Sequence, residues 1–175
     1  MDSAIIAQQF QVDGWLVTAD PLGSGNVNDT YLAIFRTVFD EKKVVIQRIN
    51  KTVFTNPERL MENMHLVTNY AHQRLIAEHD SAERIWQLPK VIPTKEGKDF
   101  VIDDNGDYWR AITRIASAHS FESVQNTNHA LEIGSVLGKF HHLVSDLPCD
   151  MLFDTLPGFH ITPQYFEKLD HHPEV

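Results

Sequence analysis

Three runs in which apolar and polar residues alternate predict strands in the first third of the chain. They lie at residues 15–20, 29–35 and 42–49, and short polar turns separate them. Consecutive strands joined by short turns are typical of an antiparallel meander. An amphipathic pattern over residues 3–10 predicts a short helix before the first strand.

The clearest helical pattern follows the third strand. Residues 56–79 carry apolar side chains at helical spacing, with Asn56 in an N-cap position and Pro57 at the first helical position. Asparagine can accept a hydrogen bond from a free N–H of the first turn, and proline lacks an N–H that would need a partner there. We therefore predict one long helix.

Two further hairpins are predicted between residues 88 and 115. The first turns at Glu96 and Gly97, and the second at Asn105 and Gly106. An Asn-Gly pair suits the positive φ angles of a type I′ turn. These hairpins add two or three strands to the sheet.

Beyond residue 117 the pattern becomes helical. Residues 126–147 repeat with a period of about 3.6, and Thr162 followed by Pro163 resembles the N-cap and first position of another helix. We place a boundary near Ser117, between a sheet-rich part (1–116) and a helical part (117–175) that we expect to be an incomplete domain. The predicted fold class is α+β.

Composition narrows the possible partners. The 175 residues are 42% hydrophobic and 22% charged, which is ordinary for a globular domain or two small lobes. Fifteen Lys and Arg against 24 Asp and Glu give a formal charge of -9. Without a basic stripe, nucleic acid is an unfavourable partner.

Two further features indicate a cytoplasmic protein. The N-terminus has no positively charged leader, and no apolar run reaches the length that spans a bilayer, so no membrane association is predicted. The single cysteine, Cys149, cannot close an internal disulfide and suits a reducing compartment. It has no neighbouring base in sequence, so we expect it to be inert.

The turn at residues 22–28, "LGSGNVN", could hold phosphates. Glycines let backbone N–H groups approach a polyphosphate closely, and Gly23 and Gly25 meet that need. Asn28 stands where a third glycine is usual in such loops. An ordinary hairpin loop is the alternative.

A phosphate-binding site of this kind also needs a cation on the third strand and an acid on the following helix. The strand offers Arg48 and its neighbour Gln47, of which only one can face the nucleotide because side chains alternate along a strand. On the helix, Glu58 and Glu62 lie one turn apart. The alternative is that these are solvated surface charges.

Several sequence blocks resemble one family. "GSGNVNDTY", "QRIN...NPERLMEN", "GDYWR", "LGKFHHLVSDLP" and "LPGFHITP" occur in order over nearly the whole chain. They resemble the N-terminal half of the aminoglycoside phosphotransferase and choline kinase family, in its N-acetylhexosamine 1-kinase-like branch. The resemblance implies a protein-kinase-like small lobe, a five-stranded antiparallel sheet plus a helix, followed by a truncated start of a helical lobe.

The resemblance also implies an activity and a set of site residues. Such enzymes transfer the γ-phosphate of ATP, with Mg²⁺, to a hydroxyl of a small molecule, here the anomeric hydroxyl of an N-acetylated hexosamine. Gln47 or Arg48 would occupy the family's nucleotide-binding strand position, with Glu62 as its helix partner. Backbone groups from Thr113 to Ile115 would meet the adenine edge. The phosphates would be covered by Gly23, Ser24, Gly25, Asn26 and Asn28.

The sequence departs from the family where catalysis resides. The family's His-Gly-Asp loop, whose aspartate accepts the hydroxyl proton, is not in these 175 residues, and neither is the later Mg²⁺-binding aspartate. We therefore expect the chain to be inactive alone, with no catalytic residue and no metal ligand of its own. None of the ten histidines stands at a zinc-like spacing with a third ligand.

Partner predictions follow from the same resemblance. Without the rest of the helical lobe, the apolar face of residues 131–144 and the stretch 151–159 would lose their covering, which predicts a homodimer or a complementing C-terminal half. Two other function classes remain open. The chain could be a non-catalytic binding or dimerisation module derived from a kinase lobe, or a ligand sensor unrelated to kinases.

Overall fold

The chain folds as an α+β protein with a mixed-length antiparallel sheet and four α-helices in the described part. The computed structural model describes residues 2–23, 27–78, 84–116 and 121–170. Its helices are α1 (Ser3–Ala7), α2 (Pro57–Ala77), α3 (Thr127–Val144) and α4 (Thr162–Asp170), and its strands are β1 (Trp15–Pro21), β2 (Asp29–Arg36), β3 (Glu41–Arg48), β4 (Val91–Ile92), β5 (Val101–Ile102) and β6 (Tyr108–Thr113). A short 3₁₀ helix covers Cys149–Met151.

The predicted antiparallel meander is confirmed. β1 pairs with β2 and β2 with β3, and the register of β2 against β3 is unbroken from Asp29↔Arg48 to Arg36↔Glu41. The β1–β2 register shifts between Leu16 and Thr18, where a bulge forms. The hydroxyl of Ser3 on α1 donates to the Ala19 carbonyl of β1.

Beyond the meander, the first of the two predicted hairpins does not form, whereas the second is confirmed as the pair of β5 and β6. The sheet runs β1-β2-β3-β6-β4, and β5 also pairs with β6. The chain does turn at Gly97, whose N–H bonds the Thr94 carbonyl at 2.9 Å, but the flanking strands do not pair with each other. Both pair with β6, β4 at Ile112 and β5 at Trp109.

The second hairpin turns at the predicted place with a different geometry. Gly106 has a φ of 75°, and its N–H donates to the Asp103 carbonyl at 2.9 Å. Asn105 does not share the positive φ, so the type I′ prediction is wrong. A turn over residues 104–105 followed by a left-handed glycine is the three-residue hairpin loop.

Helix α2 begins as predicted. The Asn56 side chain accepts the Arg59 N–H at 3.1 Å, and Pro57 is the first helical residue. The helix ends at Ala77, two residues before the predicted limit. Helix α1 is shorter than predicted and ends at Ala7, and α4 begins at Thr162, one residue earlier than predicted.

The sheet has two unlike faces. One face, the core face, carries Val44, Ile46 and Trp109, which pack with buried residues of α1 such as Ile6 and Phe10. The other, which we call the helix face, carries Tyr108 and Arg110, whose side chains contact α2. Side chains alternate along each strand, so the register assigns Thr30, Leu32, Val45, Gln47 and Ile112 to the helix face as well.

Several polar contacts connect α3 and the segment after it to α2. Arg74 of α2 pairs with Asp146 at 2.6 Å, and Glu78 pairs with Lys139 at 2.8 Å. The Asn63 side chain bonds both the carbonyl and the N–H of Phe153, at 2.8 and 2.9 Å. Within α3, Leu143 is the residue that becomes buried.

Candidate functional site

The turn between β1 and β2 starts at the edge of the helix face. The Leu22 N–H donates to the Thr30 carbonyl at 2.8 Å, and Gly23 follows with a φ of 73°. A Cβ at Gly23 would meet no atom within 4 Å, so glycine is required here by the backbone angle and not by crowding. Ser24, Gly25 and Asn26 lie outside the described residues.

Asn28 holds the far end of this turn. Its Oδ1 accepts the Asn50 N–H at 2.9 Å, which connects the turn to the segment that follows β3. The Asn28 carbonyl is also within 3.4 Å of the Thr30 hydroxyl, which donates to it. The Asn28 side chain therefore supports the shape of the turn.

Arg48 lies on the core side of β3 and is already neutralised. Its Nε donates to Asp29 Oδ2 at 2.8 Å and its Nη1 to Asp107 Oδ2 at 3.2 Å. The hydrogen bond with Asp29 raises the pKa of the Arg48 guanidinium above its ordinary value. Asp107 also pairs with Lys51 at 3.1 Å, so these groups form a half-exposed ion-pair network.

Gln47 lies on the helix face and connects three strands. Its Nε2 donates to the Thr30 hydroxyl on β2 at 3.1 Å. Its Oε1 accepts two hydrogen bonds from Arg110 on β6, from Nε at 3.0 Å and from Nη2 at 2.8 Å. Of the two alternatives on β3, Gln47 is thus the residue that faces α2, and it carries no charge.

The charge beside Gln47 comes from Arg110, which no local sequence pattern indicated as a site residue. Its third contact is from Nη1 to Met64 Sδ of α2, at 3.2 Å. Burial lowers the pKa of the Arg110 guanidinium, because removal from water disfavours the charged form. The signal that was available is the strand sequence YWRAIT, where Arg110 stands between two residues, Trp109 and Ala111, that point to the core.

Glu62 does not meet either β3 candidate. Its carboxylate accepts a hydrogen bond from Arg59 Nη1 at 2.8 Å, within α2 and in solvent. Met64 of α2 contacts Arg110 on the helix face. Residues two apart on a helix differ by about 200° in direction, so Glu62 and Met64 point to nearly opposite sides.

Glu58, in the first turn of α2, contacts Tyr108 at the start of β6. Its Oε1 accepts the Tyr108 hydroxyl at 3.1 Å. Burial, followed by this hydrogen bond, raises the pKa of the Tyr108 hydroxyl. Glu58 therefore fixes α2 against β6 without contacting Gln47 or Arg48.

In the segment predicted to meet adenine, residues 113–115, hydrogen bonds to Lys90 already use two groups of Thr113. The Thr113 N–H donates to the Lys90 carbonyl at 2.9 Å, and the Thr113 hydroxyl accepts the Lys90 N–H at 2.9 Å. Ile115 lines a shallow surface depression with Trp86 and Val136. Residues 113–115 connect the sheet to the helical part.

A largely apolar cavity of about 360 Å³ lies between α2, the sheet and α3. Arg110 lines it and is the only residue of the lining that carries a charge. The other lining residues come from α2, from the segment before β4, from α3 and from the C-terminal part: Leu60, Asn63, Met64, Val67, Thr68, Ala71, Leu88, Pro89, Phe140 and Thr155. The cavity therefore combines an apolar wall with one cationic end.

The C-terminal helices expose much apolar surface. On α3, the exposed apolar side chains include Ile133, Val136, Leu137 and Phe140, and Phe153, Phe159 and Phe166 are exposed beyond it. A patch of this kind is typical of a surface that contacts another molecule. Cys149 is also exposed.

Among residues 2–23, 27–78, 84–116 and 121–170, no group of three or more His, Cys, Asp or Glu side chains could hold a metal ion. None of the helices described is both long and apolar enough to cross a membrane. No known protein-family model matches the sequence.

Proposed function

We propose that this chain is the nucleotide-binding lobe of an ATP-dependent phosphotransferase, with a protein-kinase-like small-lobe fold. The acceptor of the complete enzyme is a small hydroxyl compound of the N-acetylhexosamine type, as the sequence resemblance implies. The observation that supports the proposal best is a row of hydrogen-bonded side chains on three adjacent strands: Thr30, Gln47 and Arg110. The Thr30 carbonyl at one end of the row accepts the N–H of Leu22, the first residue of the glycine turn. A cation beside a glycine-rich turn is suited to polyphosphate.

The order of elements is consistent with this proposal. A glycine turn joins the first two strands of an antiparallel sheet, and one long helix, α2, follows the third strand and contacts the face that carries Gln47. In protein kinases the corresponding elements are the phosphate-covering loop, the strand with the nucleotide-binding cation and the helix beside it. Fold alone does not fix function, so the proposal rests on the polar row.

Catalysis requires groups that this sequence does not supply. It contains no His-Gly-Asp, and its described residues form no metal-holding group. We propose that the base and the Mg²⁺ ligands come from a C-terminal half, which covers the exposed apolar side of α3 when the halves are together. The residues of this chain then bind and orient ATP.

Nucleotide binding by the 175-residue chain is the direct test. We expect MgATP to shift amide resonances of residues 22–30 and 47–50 in ¹H–¹⁵N spectra, with a dissociation constant on the order of 1 mM because one wall of the cleft is missing. N-acetylglucosamine alone should leave these resonances in place. An absence of shifts at about 10 mM MgATP would contradict the proposal and favour a ligand sensor unrelated to kinases.

Activity after reconstitution tests the second half of the proposal. We expect no sugar phosphate from this chain with MgATP alone. Addition of a polypeptide that carries the family's His-Gly-Asp loop and metal-binding aspartate should produce sugar 1-phosphate, measured by ³¹P NMR. If both halves bind one another and no transfer occurs, the chain is a binding module.

A dimerisation module is the second candidate, and the exposed apolar side of α3 favours it. In this case a second copy of the chain covers the helix. Light scattering after gel filtration would then give about twice the 20.0 kDa of one chain. A mass of one chain at about 100 μM would reject the dimer, since an interface of standard size has a lower dissociation constant.

A further inference from the structure

Arg110 is a largely buried cation without a carboxylate partner among the described residues. Its hydrogen bonds go to Gln47 Oε1 and to Met64 Sδ, which are both neutral. By contrast, Arg48 of β3 contacts the carboxylate of Asp29, and Arg74 of α2 contacts the carboxylate of Asp146. Buried charges in proteins are normally paired, because an uncompensated charge loses its hydration.

The Arg110 guanidinium also has N–H donors that no described residue accepts. Each of its two Nη nitrogens carries two N–H groups, and each uses one of them in the contacts of the described residues. One N–H on each nitrogen therefore has no acceptor there. A group with two or more negatively charged oxygens would satisfy both.

The position of Arg110 relates it to the glycine turn. Thr30, Gln47 and Arg110 are side by side on three adjacent strands of the helix face. Adjacent strands lie about 4.8 Å apart, so the Cα atoms of Thr30 and Arg110 are roughly 10 Å apart. Thr30 itself bonds the first residue of the turn, Leu22. An extended triphosphate can bridge such a span, since each of its three phosphate groups carries oxygens that can accept hydrogen bonds.

We infer that Arg110 of β6 is the cation that binds the terminal phosphate oxygens of the nucleotide, in place of a cation on β3. This inference rests on the proposed function. Gln47 is then a positioning residue, whose Oε1 holds the Nε side of the guanidinium and leaves the Nη groups for the ligand. Arg48 is excluded from this role because it lies on the other side of β3 and is bound to two carboxylates.

The inference predicts a specific order of ligands. ATP and inorganic tripolyphosphate place oxygens on Arg110, whereas adenosine has none to offer. In a site shielded from water, a charge-assisted bidentate contact is stronger than one at the surface. Arg110 should therefore strengthen the binding of ligands that carry phosphate groups and have little effect on the binding of the base.

The experiment is an NMR titration of the 175-residue chain with ATP, tripolyphosphate and adenosine, in which arginine ¹H–¹⁵Nε signals are observed beside the amides. In the wild-type chain, ATP and tripolyphosphate should shift the Arg110 Nε signal, and adenosine should not. Arg110→Met should weaken ATP binding at least tenfold, the factor expected for the loss of a charged hydrogen bond, and leave adenosine binding within about twofold. Arg48→Met, the matched control on the other face, should leave both within about twofold.

The possible results separate the two levels of the proposal. If the wild-type chain binds no nucleotide, the proposed function fails. If it binds ATP but the Arg110 signal does not move, or Arg110→Met binds ATP as well as the wild type, the inference fails and the proposed function stands. Equal losses for ATP and adenosine in Arg110→Met would assign Arg110 a purely structural role. If Arg110→Met does not fold, two other measurements decide the same question. One is the shift of the wild-type Arg110 Nε signal with ATP. The other is the ATP affinity of the conservative variant Arg110→Lys, which should fall by less than the tenfold loss expected for Arg110→Met.

Discussion

The sheet and the C-terminal helices of this protein bury their apolar residues to very different degrees. The core face of the sheet and α1 enclose side chains such as Ile6, Phe10 and Ile46, which have no solvent exposure. In residues 121–167, by contrast, Leu143 and Leu147 are the buried apolar residues. Both regions carry regularly spaced apolar residues in sequence, but the sheet region buries many more of them.

The difference shows that an amphipathic helix is not sufficient for a core. The α1 helix has only five residues, yet Ile6 and Ala7 are buried because a sheet face lies beneath them, while Ile5 on its other side is 50% exposed. The 18-residue α3 has many more apolar residues, of which Leu143 is buried, and its Lys139 pairs with Glu78 at the end of α2. Burial depends on the surface opposite the helix: α1 lies on a sheet face, whereas α3 buries Leu143 and leaves most of its other apolar side chains exposed.

The same substitution in the two regions should give the sharpest contrast. Ile46→Ala removes a side chain that is 0% exposed and should lower the free energy of unfolding by about 2–5 kcal/mol. Ile133→Ala removes one that is 47% exposed and should change it by less than about 0.5 kcal/mol, helped by the higher helix propensity of alanine. Urea denaturation measures both. Equal losses would mean that α3 is covered in solution.

A buried carboxylate should contribute next in magnitude. Asp103 Oδ1 accepts the N–H groups of Asn105 and Asp107, and Oδ2 accepts Trp109 Nε1–H at 3.0 Å. Asp103→Asn would turn an amide N–H toward a donor, at a cost of about 1–3 kcal/mol at pH 7 in urea denaturation. Asp104→Asn, in the exposed part of the same turn, is the matched control and should change little.

The Asp103 effect should depend on pH. Burial alone would raise the pKa of this carboxyl, but the hydrogen bonds from the Asp107 backbone and from Trp109 outweigh it, and the pKa lies below the ordinary 3.8. The stabilisation is therefore present above pH 3.8 and is lost as the pH falls through the folded-state pKa. The stability difference between wild type and Asp103→Asn should shrink below pH 3.8. A constant difference would show that the charge is not involved.

The attachment of the C-terminal part to α2 should be weaker and more local. Asn63→Ala removes both bonds to the Phe153 backbone and should cost about 1 kcal/mol. Amide exchange at Phe153 should accelerate while exchange in β3 stays unchanged. Asn69→Ala, on the exposed side of the same helix, should leave Phe153 as it is. A loss of protection throughout the sheet would show that the two regions unfold together.

The smallest expected effect is a pH dependence from His72 on α2. Burial, and then the nearby charge of Lys90, lowers the pKa of its imidazole, and its Nε2 has no partner among the described residues. Below pH 6.5 the His72 imidazole binds a proton more readily in the unfolded chain than in the folded one. The free energy of unfolding should therefore fall as the pH decreases from 6.5 toward the folded-state pKa of His72. His72→Gln should flatten that slope, and His141→Gln, on the exposed side of α3, should not. Identical slopes in all three proteins would reject the effect.

Local signals predicted the elements whose causes are local. The strands of the meander followed from alternation, and the start of α2 followed from Asn56 and Pro57, whose roles are confirmed. The Asn-Gly turn predicted the pairing of β5 with β6, which is confirmed, but the pairing of β4 with β6 could not be predicted in this way, because the choice of strand partner depends on the whole sheet. For the same reason the turn at Asn105 and Gly106 was placed correctly and assigned the wrong type.

The candidate site was predicted only in part. Alternation predicted that Gln47 and Arg48 lie on opposite sides of β3, so that only one could face a nucleotide, and the register places Gln47 on the helix face beside Thr30 and Arg110. Arg110 belongs to a different strand, so no local pattern joins it to the glycine turn. The rotation of α2 about its axis, which directs Met64 and not Glu62 to the sheet, depends on packing that sequence spacing does not determine.

The outer strand β1 has a consequence for behaviour at high concentration. A straight edge strand offers a row of backbone groups that a neighbouring molecule can extend into a shared ladder, which is a route to aggregation. In β1 the bulge between Leu16 and Thr18 bends that row, Pro21 removes a donor at its end, and the Ser3 hydroxyl occupies the Ala19 carbonyl. Two molecules that meet along this edge therefore find no continuous ladder to share.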